Sequence, residues 1–223
     1  IKIRPRDRVD QPGWLERFDR EMTTVASLEH PNVVRATDAG HQDGWHYLVM
    51  EHLDGLDVGR VAGAVGNLDV ADACEIVRQA AQGLAHIHAA GLVHRDIKPS
   101  NMMLTRDGNI KLLDLGLVLS GDDPLAVDDR LTTVGHLMGT MPYMAPEQLT
   151  EGTTTIQSDL YSLGLIVREM MTGEPAFKAG SLAQLRKAHE ESTWSDFSSK
   201  VETVDPIAAK VIQRCLERDP TDR

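Results

Sequence analysis

The sequence of 223 residues contains 23 basic and 34 acidic residues, which gives a formal net charge of -11 at pH 7, and 41% of its residues are hydrophobic. This balance is typical of a soluble globular chain and excludes the clustered basic surface that binds nucleic acid or an anionic membrane. No apolar run reaches the roughly 18 residues that a membrane-spanning helix needs. We therefore expect no nucleic-acid partner and no membrane segment in this chain.

Hydrophobic periodicity predicts the order of the elements. Apolar residues spaced by three and four between Leu15 and Leu28 indicate an amphipathic helix. The segment from Trp45 to Leu53 is rich in β-formers and indicates a strand, which follows a turn at residues 40–44. Further helices are predicted over 72–89, 157–172, 181–191 and 205–217. The helix at 157–172 is apolar on nearly all sides, which is typical of a buried helix.

A hairpin is predicted between the second and third helices. Asp107-Gly108 separates two apolar segments, and such a pair is a strong signal for a two-residue turn. That register places Asn101 directly opposite Asp114, with the two Cβ atoms about 4.5–5.5 Å apart. An amide oxygen and a carboxylate at this separation suit a hard cation such as Mg²⁺. After the hairpin, residues 120–140 are polar and aperiodic, which predicts a long loop.

The residues just before the hairpin complete a group with a common chemistry. Asp96 is a carboxylate without an obvious partner, and Lys98 supplies an ammonium group on a loop that Pro99 restrains. Together with the two candidate metal ligands, this set suits phosphoryl transfer, in which a protein mainly positions and neutralises charge. It does not suit hydrolysis through a covalent nucleophile.

Three motifs occur here in the order in which protein kinases carry them. They are His94-Arg95-Asp96-Ile97-Lys98-Pro99-Ser100-Asn101, Asp114-Leu115-Gly116 and Ala145-Pro146-Glu147. The chain thus resembles a eukaryotic-like (Hanks-type) serine/threonine protein kinase, of the bacterial group. The resemblance implies an α+β, two-lobe fold, with residues 1–53 as a partial β-rich N-lobe (lysine strand, C-helix and hinge-leading strands) and residues 54–223 as the mainly helical C-lobe.

The same resemblance implies the catalytic roles. Asp96 accepts or orients the proton of the substrate hydroxyl, Lys98 steadies the transferring γ-phosphoryl group, and Asn101 and Asp114 bind the metal ions. Thr140 resembles the threonine that contacts the catalytic aspartate. The implied cofactors are ATP and Mg²⁺ or Mn²⁺. The implied partners are protein substrates with serine or threonine acceptors and, for autophosphorylation, a second copy of the chain.

For the nucleotide, the resemblance points to a lysine–glutamate pair and to the segment between the lobes. Lys2 is similar to the strand lysine that holds the α- and β-phosphates, and Glu21 is similar to its ion-pair partner.

The segment between the lobes is implied to bind the nucleoside. Met50 resembles the residue that limits the adenine pocket, and backbone groups of Glu51 and Leu53 are expected to contact the base. Asp57 is a weaker candidate for a contact with the ribose, and the alternative is that it is a solvated loop aspartate.

Other residues are expected to support the fold or to regulate it. By resemblance, Asp159 binds the backbone of the catalytic loop and Glu147 pairs with Arg223, while His94 and Leu115 are packing residues. Arg95 suggests control by phosphorylation of the long loop, where the candidate acceptors are Thr132 and Thr133. The sequence also suggests that His86 and His88 are helix-end residues, and that Cys74 and Cys215 are buried free thiols.

The pattern departs from the family at both ends. No two of the 18 glycines are spaced i, i+2, so the glycine-rich loop that covers the ATP phosphates is missing. We expect the first two strands to precede Ile1 and the family's helices to continue after Arg223, so that this piece alone is weak or inactive. The implied location is cytoplasmic, in a parent protein that can carry a membrane anchor elsewhere. Two alternatives stay open, a pseudokinase-like binding or scaffold module and a small-molecule phosphotransferase.

Overall fold

A computed structural model describes residues 1–5, 22–43, 45–114, 141–192, 201 and 205–223, and of residues 4, 5 and 46 it describes the backbone alone. Residues 22–26 are helical. The helix ends there, because residues 27 and 28 are not helical, which is earlier than the predicted end at Leu28. Residues 15–21 of the predicted first helix and the predicted loop at 120–140 lie outside the described residues.

The first sheet is built around strand β3. It contains β1 (Lys2–Pro5), β2 (Ala36–Gln42) and β3 (Trp45–Met50), paired antiparallel in the order β1-β3-β2. The strand predicted over Trp45–Leu53 is confirmed as far as Met50. The start of the turn predicted at residues 40–44 is wrong, because β2 continues to Gln42 and the turn begins at Asp43, where φ is 50°. β2 is largely exposed and lacks apolar alternation, so its pairing with β3, and not its own composition, makes it a strand.

The second sheet contains the predicted hairpin. It consists of β4 (Gly55–Asp57), β5 (Met102–Thr105) and β6 (Ile110–Leu112), in the order β4-β5-β6. The predicted register is wrong, because Met102 pairs with Leu112 and three residues, 106–108, form the loop.

The conformation of one loop residue accounts for this register. Gly108 adopts a left-handed φ of 79°, which closes a three-residue loop where the prediction had assumed a two-residue turn. The N–H of Leu113 consequently donates to the carbonyl of Asn101 at 2.8 Å. Asp114 lies one residue farther along and is not directly opposite Asn101.

Helices form most of the remaining described structure. They are α1 (Val58–Val65), α2 (Val70–Ala89), α3 (Pro146–Thr150), α4 (Ile156–Thr172), α5 (Leu182–Glu191) and α6 (Pro206–Cys215). The four long helices predicted from periodicity are confirmed as α2, α4, α5 and α6. Aspartate caps fix two of their starts, since Asp69 accepts from the N–H of Ala71 and Asp205 accepts from the N–H groups of Ile207 and Ala208.

Helix α4 lies at the centre of the core, as its composition predicted. Its buried residues include Leu163, Ile166 and Met170, and it packs between α2 and α6. The same core includes Ile110 and Leu112 of β6. The core therefore holds the hairpin, α2 and α4 together, and these three elements border the loop that carries the predicted catalytic residues.

A short backbone connection joins the first part of the chain to the hairpin. Val33 forms a parallel bridge with Leu112, the N–H of Val34 donates to the carbonyl of Leu112, and the N–H of Leu112 donates to the carbonyl of Asn32, each hydrogen bond at 2.9 Å. The segment 32–34 thus pairs with the edge of β6 that faces away from β5.

Two further predictions concern the surface. Cys74 is exposed and Cys215 is half-buried, so the prediction of two buried thiols is wrong for Cys74, which lies on the solvent side of α2. Among the helices of the described residues, none is long and apolar enough to cross a membrane.

Candidate active site

The loop from His94 to Asn101 brings three predicted catalytic side chains together. Lys98 Nζ lies 2.8 Å from Asp96 Oδ2, and the Asn101 amide nitrogen donates both to that oxygen at 2.9 Å and to the carbonyl of Asp96 at 2.8 Å. A 3₁₀ turn at Pro99–Asn101 folds the chain back and makes these contacts possible. The prediction that Asp96 lacks an obvious partner is therefore wrong, because Lys98 and Asn101 both donate to its Oδ2 atom.

Lys2 reaches this region from the first sheet. It lies opposite Leu48 of the central strand, and its Nζ atom is 2.9 Å from Asp114 Oδ1. Asp114 has a left-handed backbone conformation with φ of 54°, which is strained for a residue with a side chain. The predicted partner Glu21 lies outside the described residues, so the Lys2–Glu21 pair remains a prediction.

The backbone of the loop is fixed by a carboxylate on α4. Asp159 Oδ2 accepts from the N–H of His94, and Oδ1 accepts from the N–H of Arg95, both at 2.9 Å. These contacts stabilise Arg95 in a left-handed conformation with φ of 70°. His88 Nε2 lies 2.8 Å from the same Oδ2 atom. The contact of His88 with Asp159 was not predicted, since nothing at the end of α2 indicates a partner 71 positions later.

His94 supports the loop from inside the core. Its side chain is fully buried, and Nε2 donates to the carbonyl of Leu113 at 2.8 Å. Burial lowers the pKa of His94 and outweighs the nearby carboxylates, which act in the opposite direction. A neutral, buried imidazole is suited to packing and not to proton transfer. Leu115, the other predicted packing residue, lies outside the described residues.

The segment predicted to contact adenine starts at the end of β3. The Glu51 carboxylate accepts from Lys111 Nζ at 2.5 Å and from the N–H of Arg35 at 2.9 Å. Burial raises the pKa of Glu51, but these hydrogen bonds outweigh burial and hold it below its ordinary value. The N–H of Glu51 donates to the carbonyl of Arg35, so the predicted contact with adenine would have to use the Glu51 carbonyl. Met50 pairs with Ala36 in the sheet.

Asp57 and Leu53 lie farther along this segment. Asp57 is the N-cap of α1, where its Oδ1 atom accepts from the N–H of Arg60 at 2.9 Å. It is therefore not a simple solvated loop aspartate. Leu53 is half-buried between β3 and β4.

A second buried carboxylate stabilises the helical part. Arg223 donates to both oxygens of Glu147, at 2.7 and 3.0 Å, and Ser158 donates to Glu147 Oε1 at 2.7 Å. The Arg223 side chain is fully buried and its guanidinium lies over the ring of Tyr161. Burial raises the pKa of Glu147, but the hydrogen bonds from Arg223 and Ser158 outweigh burial and lower the pKa below its usual value.

The donor set around Asp114 fits a hard cation. Asp114 already faces the ammonium group of Lys2, and the Asn101 amide nitrogen is turned to Asp96, which leaves the amide oxygen as its ligand atom. Among the described residues there is no cluster of three or more His, Cys, Asp or Glu side chains that could hold a metal by itself. Two protein oxygens, completed by phosphate and water, are the arrangement in which proteins commonly bind Mg²⁺.

The structure does not describe three of the predicted residues, which are Thr132, Thr133 and Thr140. Their roles remain predictions.

Comparison with known proteins agrees with this geometry. The family model described as "Protein kinase domain" matches residues 1–223. The probable serine/threonine-protein kinase pknA2 of Bifidobacterium longum is 33% identical over 94% of this chain and 28% of its own length. Serine/threonine-protein kinase PrkC of Bacillus subtilis is 31% identical, and PknB of Mycolicibacterium smegmatis is 30% identical, each over the whole of this chain.

The chain spans only 34% and 36% of the lengths of the PrkC and PknB relatives. Its own 223 residues are nevertheless matched from end to end by the family model. The matched length includes the loop around Asp96, the carboxylate Asp114 and the strand lysine Lys2. Because the family model matches the whole chain and these side chains are arranged as described above, the chain belongs to the protein kinase family.

Proposed function

We propose that this domain transfers the γ-phosphoryl group of ATP to serine and threonine hydroxyls of protein substrates. The observation that carries the proposal is the convergence of Lys98 Nζ and the Asn101 amide on Asp96 Oδ2, together with the contact of Lys2 Nζ with Asp114. This places a carboxylate that can orient a hydroxyl close to positive groups that can neutralise phosphate.

Each residue has a role in this reaction. Asp96 orients the acceptor hydroxyl and receives its proton as the new oxygen–phosphorus bond forms and the bond to the ADP oxygen breaks. Lys98 steadies the transferring group, and Asp159 holds the loop backbone through His94 and Arg95.

The nucleotide and its metal would be held from two sides. Asn101 and Asp114 would bind Mg²⁺ or Mn²⁺, which when bound neutralises the phosphate oxygens. Lys2 would hold the α- and β-phosphates, since its ammonium group already contacts the carboxylate of Asp114. Met50, Glu51 and Leu53 would contact adenine, and Asp57, at the start of α1, would contact the ribose.

The test is the transfer of labelled phosphate from ATP to serine and threonine peptides by purified protein that contains these 223 residues. We expect Asp96→Asn to reduce the rate by about 10²–10⁴-fold, the usual effect of losing such a group. Asp107→Asn, at the exposed tip of the hairpin, removes the same charge and should leave the rate unchanged. No transfer by the parent would favour the pseudokinase-like alternative, and a rate that does not depend on Asp96 would contradict the assigned role of Asp96.

Regulation by phosphorylation is a separate proposal, supported by the position of Arg95. The backbone of Arg95 is fixed by Asp159 directly beside Asp96, so a phosphate bound by its guanidinium would act on the catalytic loop. We expect the double variant Thr132→Ala, Thr133→Ala to lower the activity. The matched control is Thr153→Ala, Thr154→Ala, just before α4. Equal activity in both double variants would count against regulation at these threonines.

We also propose a boundary between the two lobes, a cellular location and a mode of self-association. The sheet β1-β3-β2 lies wholly within residues 1–53, and the sheet β4-β5-β6 with helices α1 to α6 lies within residues 54–223, which supports a boundary near residue 53. We propose a cytoplasmic location, where ATP is available, and self-association of two copies during autophosphorylation.

A further inference from the structure

A buried amide on α2 makes an unusually complete set of hydrogen bonds outside the site described above. Gln79 is only 8% exposed. Its Oε1 atom accepts from the N–H of Ile110 at 2.8 Å and from the Asn32 amide at 3.0 Å. Its Nε2 atom donates to the carbonyl of Gly108 at 3.1 Å and to Glu75 Oε1 at 2.9 Å. Both donors and both acceptor positions of the side chain are therefore used.

These contacts complete the outer edge of β6. Ile110 and Leu112 both direct their backbone groups away from β5. Gln79 satisfies the N–H of Ile110, and the Asn32 side chain donates to the carbonyl of Ile110 at 2.8 Å. The carbonyl of Asn32 accepts from Leu112, and the N–H of Val34 donates to Leu112. Gln79 and Asn32 thus take the place that a neighbouring strand would occupy in a wider sheet.

The position of β6 matters because the candidate metal ligands lie at the base of the hairpin. Asn101 immediately precedes β5, and Asp114 follows β6 by two residues. Asn101 is held by its amide contacts with Asp96, in a loop that Asp159 fixes, so a shift of β6 along α2 would move Asp114 relative to Asn101. Apolar packing alone would tolerate such a shift, whereas an amide with four directional partners, two of them backbone groups at residues 108 and 110, permits one position.

We propose that Gln79 is a positioning residue that sets the place of β6 and thereby the spacing of Asp114 and Asn101 as metal ligands. The inference rests on the proposed function of those two residues. It assigns to Gln79 no contact with substrate or metal.

The test compares Gln79→Met with Gln82→Met in purified protein that contains this chain. Methionine keeps the length of the side chain and removes all four hydrogen bonds, and Gln82 is an exposed glutamine on the same helix. The binding of Mn²⁺ in the presence of ADP is measured from the electron paramagnetic resonance signal of free Mn²⁺. The Mg²⁺ concentration that gives half-maximal phosphate transfer is measured in parallel.

We expect Gln79→Met to weaken Mn²⁺ binding roughly tenfold, the usual scale for a residue that orients a metal ligand. It should raise the Mg²⁺ requirement by a similar factor, with the rate largely restored at saturating Mg²⁺. Gln82→Met should match the parent. A Gln79→Met protein that melts at a lower temperature but binds Mn²⁺ like the parent would show a merely structural role and overturn the proposal.

A milder variant covers the case in which Gln79→Met does not fold. Gln79→Glu keeps acceptors for Ile110 and Asn32 and loses the donations to Gly108 and Glu75, so it should weaken Mn²⁺ binding, and unchanged binding would overturn the proposal. The Mn²⁺ readout also separates the two proposals. A parent that binds Mn²⁺ through Asp114 without transferring phosphate would contradict only the proposed function. A parent without Mn²⁺ binding would overturn both.

Discussion

Single buried charges hold the helical part of this molecule together. Asp159 accepts from two backbone N–H groups and lies against His88, while Glu147 is paired with Arg223. The family motifs indicated Asp159, Glu147 and Arg223, because these residue types recur at fixed places in the pattern. His88 could not be found in this way, since only the fold brings it to Asp159.

Replacing Arg223 tests the buried ion pair. Arg223→Leu leaves the Glu147 carboxylate without its cation in surroundings that exclude water, and we expect the free energy of unfolding to fall by about 3–5 kcal/mol. Urea denaturation measures the change. Arg78→Leu breaks the exposed Glu75–Arg78 pair and should have little effect. Equal effects of the two substitutions would contradict the assignment.

A buried imidazole predicts how stability depends on pH. Burial lowers the pKa of His189 to about 4, from 6.5. His189 lies against Tyr161 and Phe177, and the nearby charged groups are Arg218, Arg223 and Glu147. Because the unfolded imidazole binds a proton at a higher pH than the folded one, stability is lost as the pH falls below 6.5.

We expect the free energy of unfolding to decrease between pH 6.5 and 5 with a slope approaching 1.4 kcal/mol per pH unit for this group. His94, whose pKa burial also lowers, contributes in the same direction. Urea denaturation at both pH values, with His189→Gln for comparison, measures the slope. A His189→Gln protein with the same slope as the parent would exclude His189 as a source of it.

At the scale of elements, length and periodicity decided what could be predicted. Helices α2, α4, α5 and α6 are long enough to show a repeated apolar face. Strand β2 is largely exposed and shows no apolar alternation, and helix α1 has only eight residues, too few to repeat its apolar face. The hairpin was predicted from Asp107-Gly108, but its register depended on the conformation of Gly108, which a dipeptide does not determine.

Helix α2 approaches segment 32–34 closely at Gly83. A Cβ atom at Gly83 would lie 2.7 Å from the carbonyl oxygen of Asn32, which is itself bonded to β6. We expect Gly83→Ala to destabilise the protein by about 1–3 kcal/mol. Gly63→Ala on α1 has nothing within 4 Å of the new atom and should be neutral or stabilising by up to about 1 kcal/mol. Thermal unfolding of both variants makes the comparison, and an unaffected Gly83→Ala protein would contradict the contact.

At the scale of the whole molecule, the net charge of -11 says little about phosphate chemistry. The cations that matter are held locally, with Lys98 on Asp96 and Lys2 on Asp114. The motifs predicted which residues these are. The pairing of Lys2 with Asp114 could not be predicted, because Lys2 lies in the first sheet and Asp114 follows the last strand of the second. Tertiary contacts, among them the pairing of segment 32–34 with β6, bring these two parts of the chain together.

Mapping the phosphate that the protein transfers from ATP tests the proposed kinase activity and the role of Asp96 in one experiment. Peptides that differ only in a serine, threonine or tyrosine acceptor are incubated with the parent, with Asp96→Asn and with Asp107→Asn, and the products are sequenced by mass spectrometry. We expect phosphoserine and phosphothreonine from the parent and from Asp107→Asn, and almost none from Asp96→Asn. Phosphate on tyrosine alone, or equal yields from all three proteins, would contradict it.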